Sequence, residues 1–307
     1  MTLLRPSILA LTVTFALPTA WAQDVETLSE GDIYLATLAD LKPTQPSVGY
    51  DQIYYKLGRY QHDIKKQFDE ICEANGQKGI SDFNEESQPA VPESFKCEAR
   101  AGQKRKGMKT VVIAPDNTLY LTDGHHTFNT FWHMAGGGSS FKVNVLVDKD
   151  YRHLKDMGTF WQQLEMDKNT WLFDLNNQAI TSSELPSSLG MSNFANDPFR
   201  SLMYFSRGVS WNKPKQPVPF LEFYWAKELK PVFDLNRFDL DSQQGYMRAV
   251  QEAAEVILSM KTDNLGGSGL SAQDMGQFPS FDEDNFKKMT KETSKLNYML
   301  GYKATLK

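Results

Sequence analysis

Asp123-Gly124-His125-His126-Thr127-Phe128 lies between a β-rich stretch and a short amphipathic one, and its reading decides the fold. Upstream, Thr110 to Thr122 contains two β-rich runs around Pro115-Asp116-Asn117, the composition of a hairpin closed by a tight turn. Downstream, Phe128, Phe131 or Trp132, and Ala135 recur at helical spacing until Gly136-Gly137-Gly138 ends the run. The second strand therefore delivers Asp123 to a helix start. There its carboxylate is expected to cap backbone N–H groups, while Gly124 lets the chain turn sharply. His125 and His126 then occupy the first helical turn. Because that turn carries orphan N–H donors and the positive end of the helix dipole, an anion such as phosphate is its natural guest. Two adjacent histidines behind Asp-Gly, in a chain with 5 His, point to a ligand site rather than to turn filling. A shared metal ion is disfavoured. His126 and His133 are seven residues apart, about 10 Å along a helix axis, and no nearby Cys, Asp or Glu supplies the ligand spacing of a zinc site.

The first 22 residues have the pattern of an export signal: Arg5 as the only charge, a mostly apolar core from Ile8 to Leu17, and Ala20-Trp21-Ala22 as a small-x-small cleavage site. That core is too short to span a membrane, and no later stretch reaches the roughly 18 apolar residues needed. The mature protein is therefore expected to be soluble and periplasmic or secreted. In such a compartment Cys72 and Cys97, 25 residues apart, could be joined in a disulfide or remain two thiols, since sequence does not report geometry.

Hydrophobic residues make up 40% of the chain, with 19 Phe, 12 Tyr and 6 Trp, enough for a substantial core. Cleavage would leave 32 basic against 38 acidic residues, a net charge near −6. This balance argues against nucleic acid and anionic membranes as general partners, because phosphate-backbone binding draws on Lys and Arg. One local exception is Arg100, Lys104, Arg105, Lys106 and Lys109, just ahead of the hairpin. This basic run could lend a cation to a bound phosphate or be a solvated loop, and Lys109, which opens the strand, has the best functional case.

Along the chain, Asp32 to Leu41 reads as a short strand, followed by an extended or turning Lys42-Pro43-Thr44-Gln45-Pro46. Leu57, Tyr60, Ile64, Phe68 and Ile71 mark one face of a helix ending near Asn75-Gly76. Residues 76–98 are polar and read as a surface insertion or flap. Phe141 to Val147 supplies another strand. From Tyr151 onward helical patterns dominate, at Met157 to Met166, Pro198 to Arg207, Phe220 to Leu229, Ser242 to Met260 and Asp284 to Leu300. The aromatic stripe Phe220, Phe223, Tyr224 reads as core rather than as a cofactor box. The expected organisation is a signal peptide over 1–22, a small α/β unit with a mixed sheet over 23–150, and a helical region over 151–307 packed on it, an α+β fold.

Several landmarks resemble the ParB/sulfiredoxin superfamily, and within it the ParB-like nuclease family with a helical C-terminal extension. They are Leu41-Lys-Pro-Thr-Gln45-Pro-Ser-Val-Gly49, Lys56, Val111-Val-Ile followed by Asp123-Gly-His-His, Phe160-Trp161, and Pro219-Phe-Leu-Glu-Phe-Tyr-Trp225-Ala. The resemblance implies a mixed-sheet ParB/sulfiredoxin-like domain whose helix start binds nucleotide phosphates, and so carries phosphate binding onto Gly124, His125, His126 and Thr127. Free-serine kinases with this box place a catalytic Glu shortly after the first strand. Here Pro43-Thr44-Gln45 stands there, and an amide cannot act as general base. Sulfiredoxins need a Cys before the His of their phosphate loop, where this chain has Gly124. Chromosome-partitioning relatives carry a helix-turn-helix module, for which this exported, acidic chain shows no clear signal.

The resulting expectation is an exported protein that binds a nucleotide or other small phosphorylated ligand, with phosphoryl-transfer or hydrolase activity. In that reading His126 moves a proton, Asp123 orients an imidazole or helps hold Mg2+, and Gln45 positions water or a hydroxyl. Lys56 and Lys109 neutralise shifting charge. A nuclease acting on a phosphodiester and a non-catalytic ligand-binding protein are the alternatives, and Mg2+ is the one candidate cofactor.

Overall fold

The computed structural model describes residues 24–307, so the expected export signal lies outside the described residues. The predicted strand over 32–41 divides into Ile33–Thr37 (β1) and Leu41–Lys42 (β2), separated by a 3-10 turn in which Asp40 bonds back to Thr37. Ser47–Val48 (β3) leads into Tyr50–His62 (α1) and Ile64–Ala74 (α2). The sequence reads these two helices as one, but Asp63 at φ −144° and ψ 87° breaks them. The break changes the helical phase, so Phe68 and Ile71 stay buried while Ile64 turns to solvent. Residues 76–98 contain a small ladder, Ile80–Asp82 (β4) with Lys96–Cys97 (β5). It is anchored rather than flap-like. Cys72 and Cys97 are disulfide-bonded with their Cα atoms 5.7 Å apart, and the Phe83 and Phe95 rings pack 5.2 and 5.0 Å from Phe68.

Lys109–Ile113 (β6) and Leu119–Leu121 (β7) form the expected hairpin, with Asn117 in left-handed conformation at its turn. The chain then runs through His125–His133 (α3), Lys142–Asp150 (β8) and Met157–Met166 (α4). The five-stranded sheet has the order β1-β8-β6-β7-β2, with β8–β6 and β7–β2 parallel and the other two pairs antiparallel. Alternation along β8 sends Val143, Val145 and Val147 into the core shared with α1, α2 and α3. On the other face, Val112 and Tyr120 meet Phe160 and Trp161 of α4.

The helical part is Ala195–Asn196 (β9), Pro198–Ser206 (α5), Leu221–Leu229 (α6), Gln243–Ser259 (α7), Glu283–Lys288 (α8) and Lys295–Ala304 (α9). The expected last helix over 284–300 is interrupted, and Ser294 caps its second piece by accepting from the Asn297 N–H at 3.2 Å. None of the described helices is long and apolar enough to cross a membrane. This is an α+β fold in which α1 belongs to both cores. Ile53, Leu57 and Tyr60 face the sheet side, whereas Tyr55 packs among α5, α7 and α9. Contact between α1 and α9 depends on Gly58, where an added Cβ would lie 2.1 Å from the Tyr298 carbonyl oxygen. Gly58→Ala is therefore expected to force α9 away and cost about 1–3 kcal/mol in a denaturant titration. Unchanged stability would show that α9 can shift without loss.

Candidate functional site

Gly124 makes the turn into α3, and the geometry there corrects one expectation. The N-cap is Gly124 itself, at φ 108°, and no side chain caps the helix. A Cβ at Gly124 would meet Lys109 Cγ at 2.6 Å, so sterics as well as backbone conformation require glycine. Asp123 points to solvent and pairs with Lys109 Nζ at 3.1 Å instead of capping the helix or orienting an imidazole. The backbone N–H groups of His125, His126 and Thr127 consequently have no partner among the described residues.

The imidazoles are used differently from the expectation. His125 Nε2 accepts the Thr44 N–H at 3.1 Å, and His126 Nε2 accepts the Gly49 N–H at 3.0 Å. Two groups further along α3 do the same for another loop: Asn129 Oδ1 accepts from Gly190 N–H at 2.8 Å and His133 Nε2 from Met191 N–H at 3.0 Å. A ring nitrogen that accepts carries no proton, so His125 and His126 are neutral with the proton on Nδ1. Burial drives the His125 pKa down to about 3, against the opposing Asp123 charge. Burial, reinforced by Arg200, His125, Lys56 and Lys213, puts His126 well below its ordinary value. His126 is therefore a hydrogen-bond donor through Nδ1, not a ready proton acceptor. This replaces the expected acid–base role, and the physical reason is that its second nitrogen is occupied by backbone.

The start of α3 opens into a cavity of about 610 Å³. Gln45, Lys56, Lys109, Asp123, Gly124, His125, His126 and Thr127 all line it, so the chain brings every sequence-nominated residue to one place. Gln45 is buried and its Nε2 donates to the Ser47 carbonyl at 2.6 Å. Lys56 Nζ lies 2.8 Å from Glu70 and 3.4 Å from Thr127 Oγ1. The 76–98 excursion contributes no residue to this cavity.

The opposite wall comes from the helical part and went unrecognised in the sequence. Arg200 on α5 is 6% exposed; it donates to Gln52 Oε1 at 3.1 Å, and its Nε has no partner. Glu222, in the first turn of α6, faces three cations: Arg200 at 3.6 Å, Arg207 at 3.4 Å and Lys213 at 3.2 Å. Burial alone would push its carboxyl up, but Arg200, Lys213 and Arg207 outweigh that and hold it at about 2. The aromatic stripe forms wall as well as core, since Phe220 and Phe223 line the cavity and Trp171 packs behind them. One sequence signal was available: Arg200 and Arg207, two helical turns apart, flank an otherwise apolar run.

Asp148 is a further lining residue that went unrecognised in the sequence. Along the parallel β6–β8 ladder Val111 pairs with Val147 and Val112 with Lys149, which leaves Asp148 as the extra residue of a bulge. Bulges re-aim a side chain that regular alternation would place elsewhere. Of the three carboxylates in the cavity, Asp123 is committed to Lys109 and Glu222 to its three cations, while Asp148 has no ion-pair partner among the described residues.

The neutral histidines have a consequence for stability. They can charge in the unfolded chain but not in the fold, so protons favour unfolding. Their contribution is complete above the ordinary pKa of 6.5 and is lost as pH falls toward about 3 for His125. The loss is about 1.4 kcal/mol per pH unit for each buried imidazole. Denaturant titrations at successive pH values should show this decline, and a shallower one in His125→Gln. Equal slopes would show that His125 is not its source.

Comparison with curated proteins gives no match. Among solved structures, protein Atu1540 from Agrobacterium tumefaciens aligns with a TM-score of 0.50 and 20% identity, covering 75% of this chain and 92% of that one. That likeness concerns the fold. A family model described as "Putative ParB-like nuclease" matches residues 35–231, a span that includes the 44–49 loop, α3 and the wall formed by α5 and α6. The chain belongs to this ParB-like nuclease family.

Proposed function

We propose that the protein binds a phosphorylated small molecule, nucleotides included, at the start of α3, and that it can hydrolyse or transfer the phosphoryl group there. The observation that carries this reading is that three unpartnered N–H groups open into a cavity that the buried guanidinium-bearing side chain of Arg200 also lines. A phosphate dianion would satisfy both at once. Five Lys and Arg side chains line the cavity against three carboxylates, two of them already paired with cations, so the site is cationic within an acidic protein. Low dielectric around buried groups makes such charges count for more than they would at the surface.

In hydrolysis, the backbone N–H groups and Arg200 hold the phosphate oxygens while the His126 Nδ1–H adds a donor. Asp148 takes a proton from water as the water oxygen bonds to phosphorus. The bond to the leaving oxygen then breaks, and that oxygen takes its proton from solvent. Gln45 retains Oε1 to position the water. No cluster of three or more His, Cys, Asp or Glu among the described residues could hold a metal alone. Mg2+ would suit this site only as a partner of the ligand's phosphates, with Asp148 as its protein carboxylate.

Phosphodiester cleavage would use the same groups, and the family description favours it as the second reading. Export to the periplasm or secretion belongs to the same proposal, supported by the pattern of residues 1–22 and by the Cys72–Cys97 disulfide. Calorimetry should register orthophosphate binding to residues 23–307, weakened about tenfold in Arg207→Gln. Phosphorus NMR with a phosphomonoester and a phosphodiester then identifies the bond that breaks. Asp148→Asn should keep phosphate affinity and lose about 100-fold in turnover. Absence of any heat with orthophosphate would sink the reading at its first step.

A further inference from the structure

Except through Lys109, the basic run over 100–109 takes no part in the cavity just described. The fold gives it a definite arrangement. The Gly102 N–H donates to the Asn75 carbonyl at 3.0 Å and the Lys104 N–H to the Gly76 carbonyl at 2.8 Å, pinning the loop to the end of α2. Gly107 packs so closely that an added Cβ would lie 2.8 Å from the Glu73 carbonyl oxygen. Within this pinned loop the cations are sorted. Arg105 turns away and donates to the Gly31 carbonyl at 2.9 Å, whereas Lys104 and Lys106, on either side of it, line a second cavity of about 540 Å³.

This second cavity abuts the first. Lys56, Lys109 and Thr127 line both, so the two share a wall at the first turn of α3. Lys56, Lys78 and Lys109 each have a carboxylate partner, but Lys104 and Lys106 have none among the described residues. Of the two glutamates present, Glu70 is taken up by Lys56, Arg59 and Tyr60. Glu73 has no ion-pair partner among the described residues, and burial with the nearby charges of Glu70 and Asp69 pushes its carboxyl up from the ordinary value. Two unpaired lysines therefore face one unpaired glutamate, a net positive balance in a cavity whose lining includes Thr127 but not Arg200.

We propose that the two cavities form one cleft with two anion subsites, and that the ligand carries consecutive phosphate groups rather than one. A phosphate at the start of α3 fills the first subsite, and the next phosphate along the same chain reaches Lys104 and Lys106. This rests on the phosphate reading of the first cavity and narrows its ligand class to condensed polyphosphates, nucleoside di- and triphosphates among them. The loop also explains how an acidic protein concentrates attraction for a polyanion: its cations are gathered on one cleft instead of being spread over the surface.

The test compares orthophosphate with tripolyphosphate by calorimetry in metal-free buffer, for the wild type and for Lys104→Ala/Lys106→Ala. Both lysines are exposed and carry no side-chain bond, so the double variant should fold normally, as thermal melting will show. Wild type should bind tripolyphosphate about tenfold more tightly than orthophosphate, and the double variant should lose that advantage while its orthophosphate affinity stays within about twofold. Equal affinities for the two probes in wild type, or an undiminished preference in the double variant, would overturn the second subsite and leave the first intact. Failure of wild type to bind orthophosphate would overturn the first subsite, and the cleft with it.

Discussion

The acceptance of loop backbone N–H groups by uncharged side chains on one helix is the constraint on which the rest of the structure depends. Buried N–H groups at Thr44, Gly49, Gly190 and Met191 all find their acceptors on α3. Losing such a partner costs about 1–3 kcal/mol each. Neutral imidazole suits the task, because it places an acceptor at the end of a flat ring without bringing a charge into the interior, as a carboxylate would. Adjacent histidines also serve two points of one loop, since consecutive helical residues diverge by about 100°. His125 holds the start of the 44–49 segment and His126 its end. That segment in turn pairs β3 with β9, and the Asp197 N–H donates to the Val48 carbonyl at 2.9 Å at the entry to α5. The position of Arg200 therefore descends, bond by bond, from the histidines.

Because the histidines are spent on architecture, the proposed chemistry rests on other groups. The helix start is left without a side-chain cap, so its N–H donors remain available to a ligand. Positive charge is supplied from the other part of the chain by Arg200 on α5 and by Arg207 and Lys213 in the connection after it, and Glu222 on α6 keeps gathered these three cations, which would otherwise repel one another. A buried carboxylate with several cations is stable only while all remain charged, which its pKa of about 2 secures over the ordinary pH range. Under the proposed function, an anion would meet these charges already in place.

Much of the fold was legible in the sequence because its signals are local. The hairpin around Asn117, the helix after Gly124 and Met157–Met166 all follow from turn chemistry and periodicity, although the helix after Gly124 ends at His133, short of the glycine triplet expected to stop it. Local signals failed where phase changed without a marker, as at Asp63, whose break turned Ile64 outward. They failed again at Asp123, which had the composition of a cap but is drawn to Lys109 on the neighbouring strand. The sequence located half of the candidate site, since Asp-Gly-His-His is contiguous. The other half, Arg200, Arg207, Lys213 and Glu222, comes from a segment whose own pattern is apolar, and Asp148 reaches the cavity through a bulge that no periodicity announces. Most of all, no spacing rule tells a histidine that will accept from backbone from one that will move a proton.

The most direct test of this account is nitrogen-15 NMR of the His125 and His126 imidazoles between about pH 8 and about pH 5, across the range where an ordinary histidine charges. Neutral rings protonated at Nδ1, with Nε2 shifts that do not titrate across this range, are what the structure predicts. Titration of either ring near the ordinary value of 6.5 would mean that its Nε2 does not hold the loop, and would contradict the order of dependence that runs from α3 to the cavity lined by Arg200.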